Sequence, residues 1–582
     1  MPARLTRPGF IHIAWTKLCT SAGDTGQDST MIRINELQLP LGHPPEALRS
    51  AILARLKLGE PDLIDFTVFK RSYDARKKNS EINFVYIIDA QVHGETQVLA
   101  RFTHDRNVRL TPDTSYYPVA QAPAELNERP LVIGFGPCGL FAALSLAQMG
   151  FRPIVLERGK DVRARTKDTW ALWRNKVLTP ESNVQFGEGG AGLFSDGKLY
   201  SQIKDPKFYG RKVMHEFVRA GAPAEIMYVS KPHIGTFRLT GVVSTMREEI
   251  RSLGGEVRFD SRVTDFLVED GRIEGVTLAD GEELRSRYVV LALGHSARDT
   301  FRRLHDRDIY IEAKPFAIGF RIEHPQSMVD KARLGKYAGH PDLGAADYKL
   351  VHHAKNGRAV YSFCMCPGGT VVAATSEPNR VVTNGMSQYS RNERNANAGV
   401  VVGITPEADF PGGPLAGMEL QEKLESKAFE LGGNDYCAPG QLVGDFIRSQ
   451  ASTQLGEVEP SYQPGVLLGD LAAALPAYAI DAIREALPAF GKQIRGFDRH
   501  DAILTGIETR TSSPIRIKRD NLSLQSINTR GVYPAGEGAG YAGGILSAGV
   551  DGIKVAEAVA LAMLSDLSMG STAGHRPQPK KN

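Results

Sequence analysis

The stretch "VIGFGPCG", Val132–Gly139, places glycines at 134, 136 and 139 in the spacing G-x-G-x-x-G. It follows the apolar run "RPLVIGF" and opens "CGLFAALSLAQMG", which has helical spacing. A second apolar run, "PIVLERG", comes next and ends at Glu157. Strand, glycine turn, helix and a second strand ending in an acid is the context in which this string binds a dinucleotide. Gly134 permits the tight turn, Gly136 lets the backbone approach a pyrophosphate, and Gly139 lets helix and strand pack closely. The helix start offers free N–H groups and positive dipole character to phosphates. Glu157 can accept from ribose hydroxyls and argues against NADP, whose ribose phosphate it would repel. Arg158 reads as a surface residue, with a place at the cofactor as the alternative.

The same spacing recurs twice. "GEGGAG" (Gly187–Gly192) leads into "LFSDGKLYS", which is not helical. It reads as a plain surface turn or as a glycine loop along the cofactor, with Ser195 and Lys198 offering polar contacts. "GAGYAG" (Gly538–Gly543) follows the strand-like "GVYPAGE" and precedes "GILSAGVDGIKVAEAVALAML". No further strand follows that helix, so an independent βαβ unit is not expected. Its N-terminus would instead serve part of a cofactor bound elsewhere. NAD needs one contiguous mononucleotide pair, whereas FAD, bound extended, needs a distant segment for its flavin end. The third string supplies such a segment, so FAD is the expected cofactor.

The rest of the chain fits around this unit. Its 582 residues suffice for several cores. A net charge of +4 is small for this length and does not mark an electrostatic nucleic-acid binder. No apolar run approaches the roughly 18 to 20 residues that cross a bilayer, and a cytoplasmic protein is expected. The five cysteines, at 19, 138, 364, 366 and 437, form neither a disulfide framework nor a zinc pattern. No metal is expected.

Residues 1–30 read as a disordered leader or an extension from an upstream start, with a transit peptide as the alternative. Residues 31–122 read as a small accessory α/β domain of ferredoxin-like type, with a basic turn at Arg76–Asn79. The FAD domain occupies 129–300 and returns at 505–565. Between them, 301–504 reads as an inserted α+β substrate domain. Residues 566–582 read as a disordered tail. The fold class is therefore α/β, with a Rossmann-like FAD-binding domain built from separated segments.

The pieces "VIGFGPCGLFAALSLAQMGFRPIVLERG", "VVLALGHS" and "GVYPAGEGAGYAGGILSAGVDG" resemble the three FAD-binding segments of the glutathione-reductase-type flavoprotein superfamily. "EGGAGLFSDGKL", "GHSARDT", "SFCMCPGG" and "YPAGEGAGYAGGI" resemble, more closely, a bacterial family of FAD-dependent dehydrogenases. The resemblance implies that Gly134, Gly136 and Gly139 meet the FAD pyrophosphate, with Pro137 and Leu140 on the same turn, and that Glu157 meets the adenosine ribose. It places Val263 beside the adenine and Gly294 at the turn after the central strand. Gly536 and Glu537 would reach the ribityl chain, and Gly543, Gly544 and Ile545 the flavin pyrimidine edge. Glu537 stands where the superfamily usually has Asp. Cys138 stands where Ala is common and reads as packing.

Catalytic residues are not identified by this pattern. In "AVYSFCMCPGG" a regular strand puts Tyr361, Phe363 and Met365 on one side and Ser362, Cys364 and Cys366 on the other. Two strand residues separate Cα atoms by roughly 6.5 to 7 Å, at the limit for a disulfide. The two cysteines read as pocket lining, with redox or acid work beside the flavin as the sharper alternative. His295 reads as structural or as a cofactor neighbour. Arg391, Asn395 and Asn397 read as anion recognition or as caps of helix ends and turns. Glu508 and Arg510 read as a local ion pair or as cofactor contacts. The expected function is hydride transfer between FAD and an unidentified small molecule or NAD(P)H. A flavin-containing RNA-modifying or RNA-binding protein is the alternative; nucleic acid is not the expected partner. Substrate, direction of electron flow and oligomeric state are not fixed by the sequence.

Overall fold

Residues 31–75 and 81–573 are described in a computed structural model of the chain, with side chains through 568. The leader, the basic turn at 76–79 and the last nine residues lie outside the described residues. The chain divides into two compact units, residues 31–113 with Met227–Ser230, and 114–226 with 231 onward.

The first unit is a four-stranded antiparallel sheet with two helices. Its strands are Ile32–Pro40, Leu63–Asp74, Asn83–Val92 and Val108–Leu110, in spatial order second, third, first, fourth. This is the split βαβ order of ferredoxin-like domains. Alternating residues Phe84, Tyr86 and Ile88 turn inward and pack with Leu48, Ile52 and Leu56 of the helix Glu46–Leu56. One buried ion pair, Arg33 with Asp89, lies across a register position of the sheet at 2.7 and 2.8 Å, with Arg33 stacked on Phe69.

The second unit is built on a five-stranded parallel sheet. Its strands are Leu131–Ile133, Ile154–Leu156, Glu256–Arg258, Val289–Leu291 and Val532–Pro534. Numbered in that sequence, they lie in spatial order 5-4-1-2-3. That is the Rossmann order with the glycine-turn strand at its centre. "LVI", "VVL" and "VYP" are buried throughout, as parallel strands covered on both faces require. One face carries the helices Pro137–Gln148 and Ile545–Ala573. The other carries a three-stranded antiparallel sheet, 263–285, and the helix Arg298–Asp306. The last strand pairs in parallel with Val289–Leu291, so the third glycine string enters the same sheet as the first.

The segment between those two strands forms a seven-stranded mixed sheet. Its centre is Phe316–Pro325 paired antiparallel with Asn395–Ile404 over ten register positions. The strand Ile503–Glu508 belongs to this sheet and crosses the expected boundary at 504. The C-terminal helix runs to Ala573, past the point at 566 where a disordered tail was expected. Among the described residues no helix is long and apolar enough to cross a membrane, and no group of three or more His, Cys, Asp or Glu could hold a metal.

Candidate functional site

The glycine turn is shaped by what a side chain would strike. Gly134 has φ +96°. A Cβ on Gly139 would lie 1.9 Å from the Gly134 carbonyl oxygen, so the helix can start this close to the strand only with glycine there. Gly136 caps the helix Pro137–Gln148, with Pro137 in its first turn, where a missing N–H costs nothing. The first amides of that helix have no intrahelical partner and face the site.

Glu157 holds this turn together. It is buried, and its Oε2 accepts from the Phe135 amide at 2.8 Å. Its Oε1 accepts from the amides of Gly159 and Gly187, each at 2.9 Å. The second glycine string is thereby fastened to the first, and the Gly189 amide donates to the Phe135 carbonyl at 2.9 Å. A Cβ on Gly190, whose φ is +58°, would come 2.7 Å from Gly136 Cα. One on Gly192 would meet Ile545 Cγ1 at 3.0 Å and Pro137 Cγ at 3.2 Å. The surface-turn reading of this string therefore does not hold: it packs between the two helix starts.

These elements enclose a cavity of about 320 Å³. Gly134, Gly136, Pro137, Glu157, Arg158 and Val263 line it, as do Ser195, Lys198 and Gly294. Glu537, Gly543, Gly544 and Ile545 complete the set from the far end of the chain. Gly139, Leu140 and Gly536 stand behind the wall: Leu140 is buried, and the Gly536 amide donates to Asp551 at 2.8 Å. Cys138 is buried packing, with its thiol pushed up by burial. The Gly543 amide is taken by Ser547 Oγ at 3.0 Å.

Several sequence readings are corrected. Arg158 is not a surface residue. It lines the cavity, stacks on Phe186 at 4.1 Å, and pairs with Glu181 and Asp299, each at 2.8 Å. His295 also lines the cavity. Its Nδ1 lies 3.0 Å from Glu537 Oε1, and its buried Nε2 has no partner among the described residues. Glu508 and Arg510 do not pair with each other. Glu508 takes Arg321 in a two-bond pair at 2.8 and 2.9 Å. Arg510, which lines the cavity, binds Glu425 at 2.8 and 3.0 Å and donates to Ser296 and Ser376. Arg391 pairs with Asp196, Asn395 donates to Glu323, and Asn397 accepts from Arg321. Both asparagines lie within a strand, so they cap no turn, and none of these three residues lines the cavity.

The cysteine strand loses its alternation at a register shift between Phe363 and Cys366. Cys364 takes φ +44° and is exposed, while Met365 and Cys366 are both buried. Phe363 and Cys364 line the cavity; Cys366 does not, and burial pushes its thiol up to about 12. Cys138, Cys364, Cys366 and Cys437 are all free thiols. Sequence reasoning missed Asp196, Arg262 and Asn384 as lining residues. Asp196 stood in plain view in "SDGK", but its partner Arg391 lies 195 positions away.

The residues present fit an extended dinucleotide. The glycine turn brings open backbone to the cavity at a helix start, as a pyrophosphate requires, and among the described residues the buried His295 Nε2 lacks the partner a ligand oxygen would be. A family described as "FAD dependent oxidoreductase" matches residues 228–326, and one described as "FAD-dependent protein, C-terminal domain-like" matches 315–511. A domain of unknown function matches 31–91. Together these define an FAD-dependent flavoprotein of the oxidoreductase class, and FAD is its cofactor. An "Uncharacterized protein" of Clostridium beijerinckii is 49% identical over 528 residues, covering 90% of this chain and 98% of its own. The chain belongs to the family of that protein. Among solved structures, the Bacillus cereus glycine oxidase is 11% identical, covers 74% of this chain and 95% of its own, and has a TM-score of 0.27. Amadoriase I of Aspergillus fumigatus is 12% identical, covers 75% and 88%, and has a TM-score of 0.33.

Proposed function

We propose that this protein is an FAD-dependent dehydrogenase of the glutathione-reductase-type superfamily, exchanging hydride between FAD and a small-molecule substrate or NAD(P)H. The observation that carries this reading is the parallel pairing of Val532–Pro534 with Val289–Leu291, which brings the third glycine string to the same cavity as the first. In this reading the turn Gly134–Gly139 and the helix amides behind it take the pyrophosphate. Glu157 and Val263 flank the adenosine, and Gly294 leaves the backbone open to the ligand. Three acceptor positions of Glu157 already hold backbone amides, which leaves little for a ribose hydroxyl beyond one oxygen.

When bound, FAD supplies hydride exchange at its ring; the chain supplies position and field. The helix Ile545–Ala573 begins just after Gly543 and Gly544, and its N-terminal end would favour negative charge on a flavin held there. His295, oriented by Glu537, presents Nε2 to a ligand oxygen. In this reading the mixed sheet closes the substrate side with Phe363 and Cys364, and the separate strand Thr383–Ser387 adds Asn384.

The test is purification with and without added FAD, then anaerobic mixing with NADH and with NADPH. Visible flavin absorption that one nicotinamide bleaches establishes the enzyme and its donor. Protein that stays colourless after reconstitution ends the proposal.

A further inference from the structure

The segment 187–198 tracks the cavity from one end to the other. The Gly187 amide bonds Glu157. Gly190 touches Gly136, and Gly192 sits between Pro137 and Ile545. Lys198 then donates from Nζ to the Met365 carbonyl, on the strand that also brings Phe363 and Cys364 to the cavity. Lys198 therefore stands at the end away from Glu157, beyond both helix starts.

The charges around this end nearly cancel. Asp196 is closed by Arg391, with Nε to Oδ1 at 3.0 Å, and Arg510 is closed by Glu425. Arg158 and Arg262, the other cations lining the cavity, share Glu181 and Asp299. Lys198 has a carbonyl partner but no carboxylate ion pair among the described residues. Burial works against its charge and the nearby Asp196 carboxylate favours it, while the adjacent Cys366, its thiol pushed up to about 12, is an uncharged neighbour at neutral pH. His233, packed behind Asp196, stays neutral there: burial and Arg391 push it down to about 4. One uncompensated positive charge remains beside an aromatic ring and a thiol.

Resting on the FAD reading above, we propose that Lys198 is the anion-recognition residue of the substrate site, and that the substrate is a monocarboxylate with an apolar body. A single ammonium matches one negative charge. A phosphate dianion would leave its second charge without a cation at this end of the cavity. Phe363 offers the apolar contact. Lys198 is thereby moved from cofactor contact to substrate contact.

The test uses the FAD-loaded full chain and reads changes in its visible flavin spectrum on titration with benzoate, with benzamide as the neutral isostere and with inorganic phosphate. The expected result is saturable benzoate binding that weakens with salt, benzamide weaker by about tenfold or more, and no matching phosphate response. Lys198→Met should lose about tenfold or more in benzoate affinity while keeping its FAD content, and Lys198→Arg should recover part of it. Equal binding of benzoate and benzamide overturns the proposal, as does tighter binding of phosphate or no benzoate response in FAD-loaded protein. If Lys198→Met instead loses FAD, the lysine is a cofactor ligand and the proposal also fails. Wild-type protein that never takes up flavin refutes the functional reading itself, a result distinct from all of these.

Discussion

A methyl group at residue 139 would sit 1.9 Å from the oxygen of residue 134. Gly139→Ala should therefore push helix from strand and open the phosphate turn. The expected outcome is protein with a lower melting temperature and a reduced flavin-to-protein absorbance ratio; a fully yellow, equally stable variant would contradict the close packing. At this scale the glycines were legible because their spacing and flanking runs state the geometry directly. The charged residues were not. Glu508 and Arg510 are neighbours in sequence, yet their partners, Arg321 and Glu425, lie 187 and 85 positions away. The two cysteines misled for a different reason: the strand shifts register after Phe363, and alternation holds only in a regular ladder.

At the scale of elements, three pieces meet at one buried carboxylate. Glu425, on the helix Ala416–Leu431, binds Arg298 on the helix Arg298–Asp306 and Arg510 just after the strand Ile503–Glu508. Burial opposes its charge, but the two guanidiniums win and hold its carboxyl well below the usual range. Glu425→Gln would leave two buried cations with a neutral partner. A loss of roughly 3–5 kcal/mol is expected, of the size seen when one member of a buried pair is removed, and urea unfolding at neutral pH would measure it. A loss below about 1 kcal/mol would mean that water or Glu377 already compensates the arginines. Helices and strands of this region could be read as apolar periods, but the network joining them could not, because nothing local marks which charges become buried together.

For the whole molecule, the parallel sheet takes its fifth strand from Val532–Pro534. A chain ending before residue 529 should keep the four other strands in sequence but lose the wall that carries Glu537, Gly543 and Gly544. Such protein is expected to bind no FAD, by equilibrium dialysis, even if it remains partly folded. Acid should also weaken the fold in a defined window. His324 is fully buried in the mixed sheet and donates from Nε2 to the Phe497 carbonyl at 2.7 Å. Burial pushes its imidazole down to about 4. Above about pH 6.5 it is neutral folded and unfolded, so its contribution is unchanged. As pH falls from there towards 4, the unfolded chain binds a proton that the native state refuses, and stability drops, by about 3 kcal/mol at most. His324→Gln should flatten that part of the stability–pH curve; an unaltered slope would show that the imidazole is hydrated in solution.

The two walls of the cavity are also separated in time. About 400 residues lie between Leu131 and Val532, so synthesis delivers the first half of the cradle long before the second. Until the last strand docks, the opening Rossmann elements have an unpaired edge beside Val289–Leu291. Capture of the prosthetic group is consequently a late event in biogenesis, and flavin scarcity would leave a nearly finished chain with its final seam loose and open to proteolysis near the C-terminus.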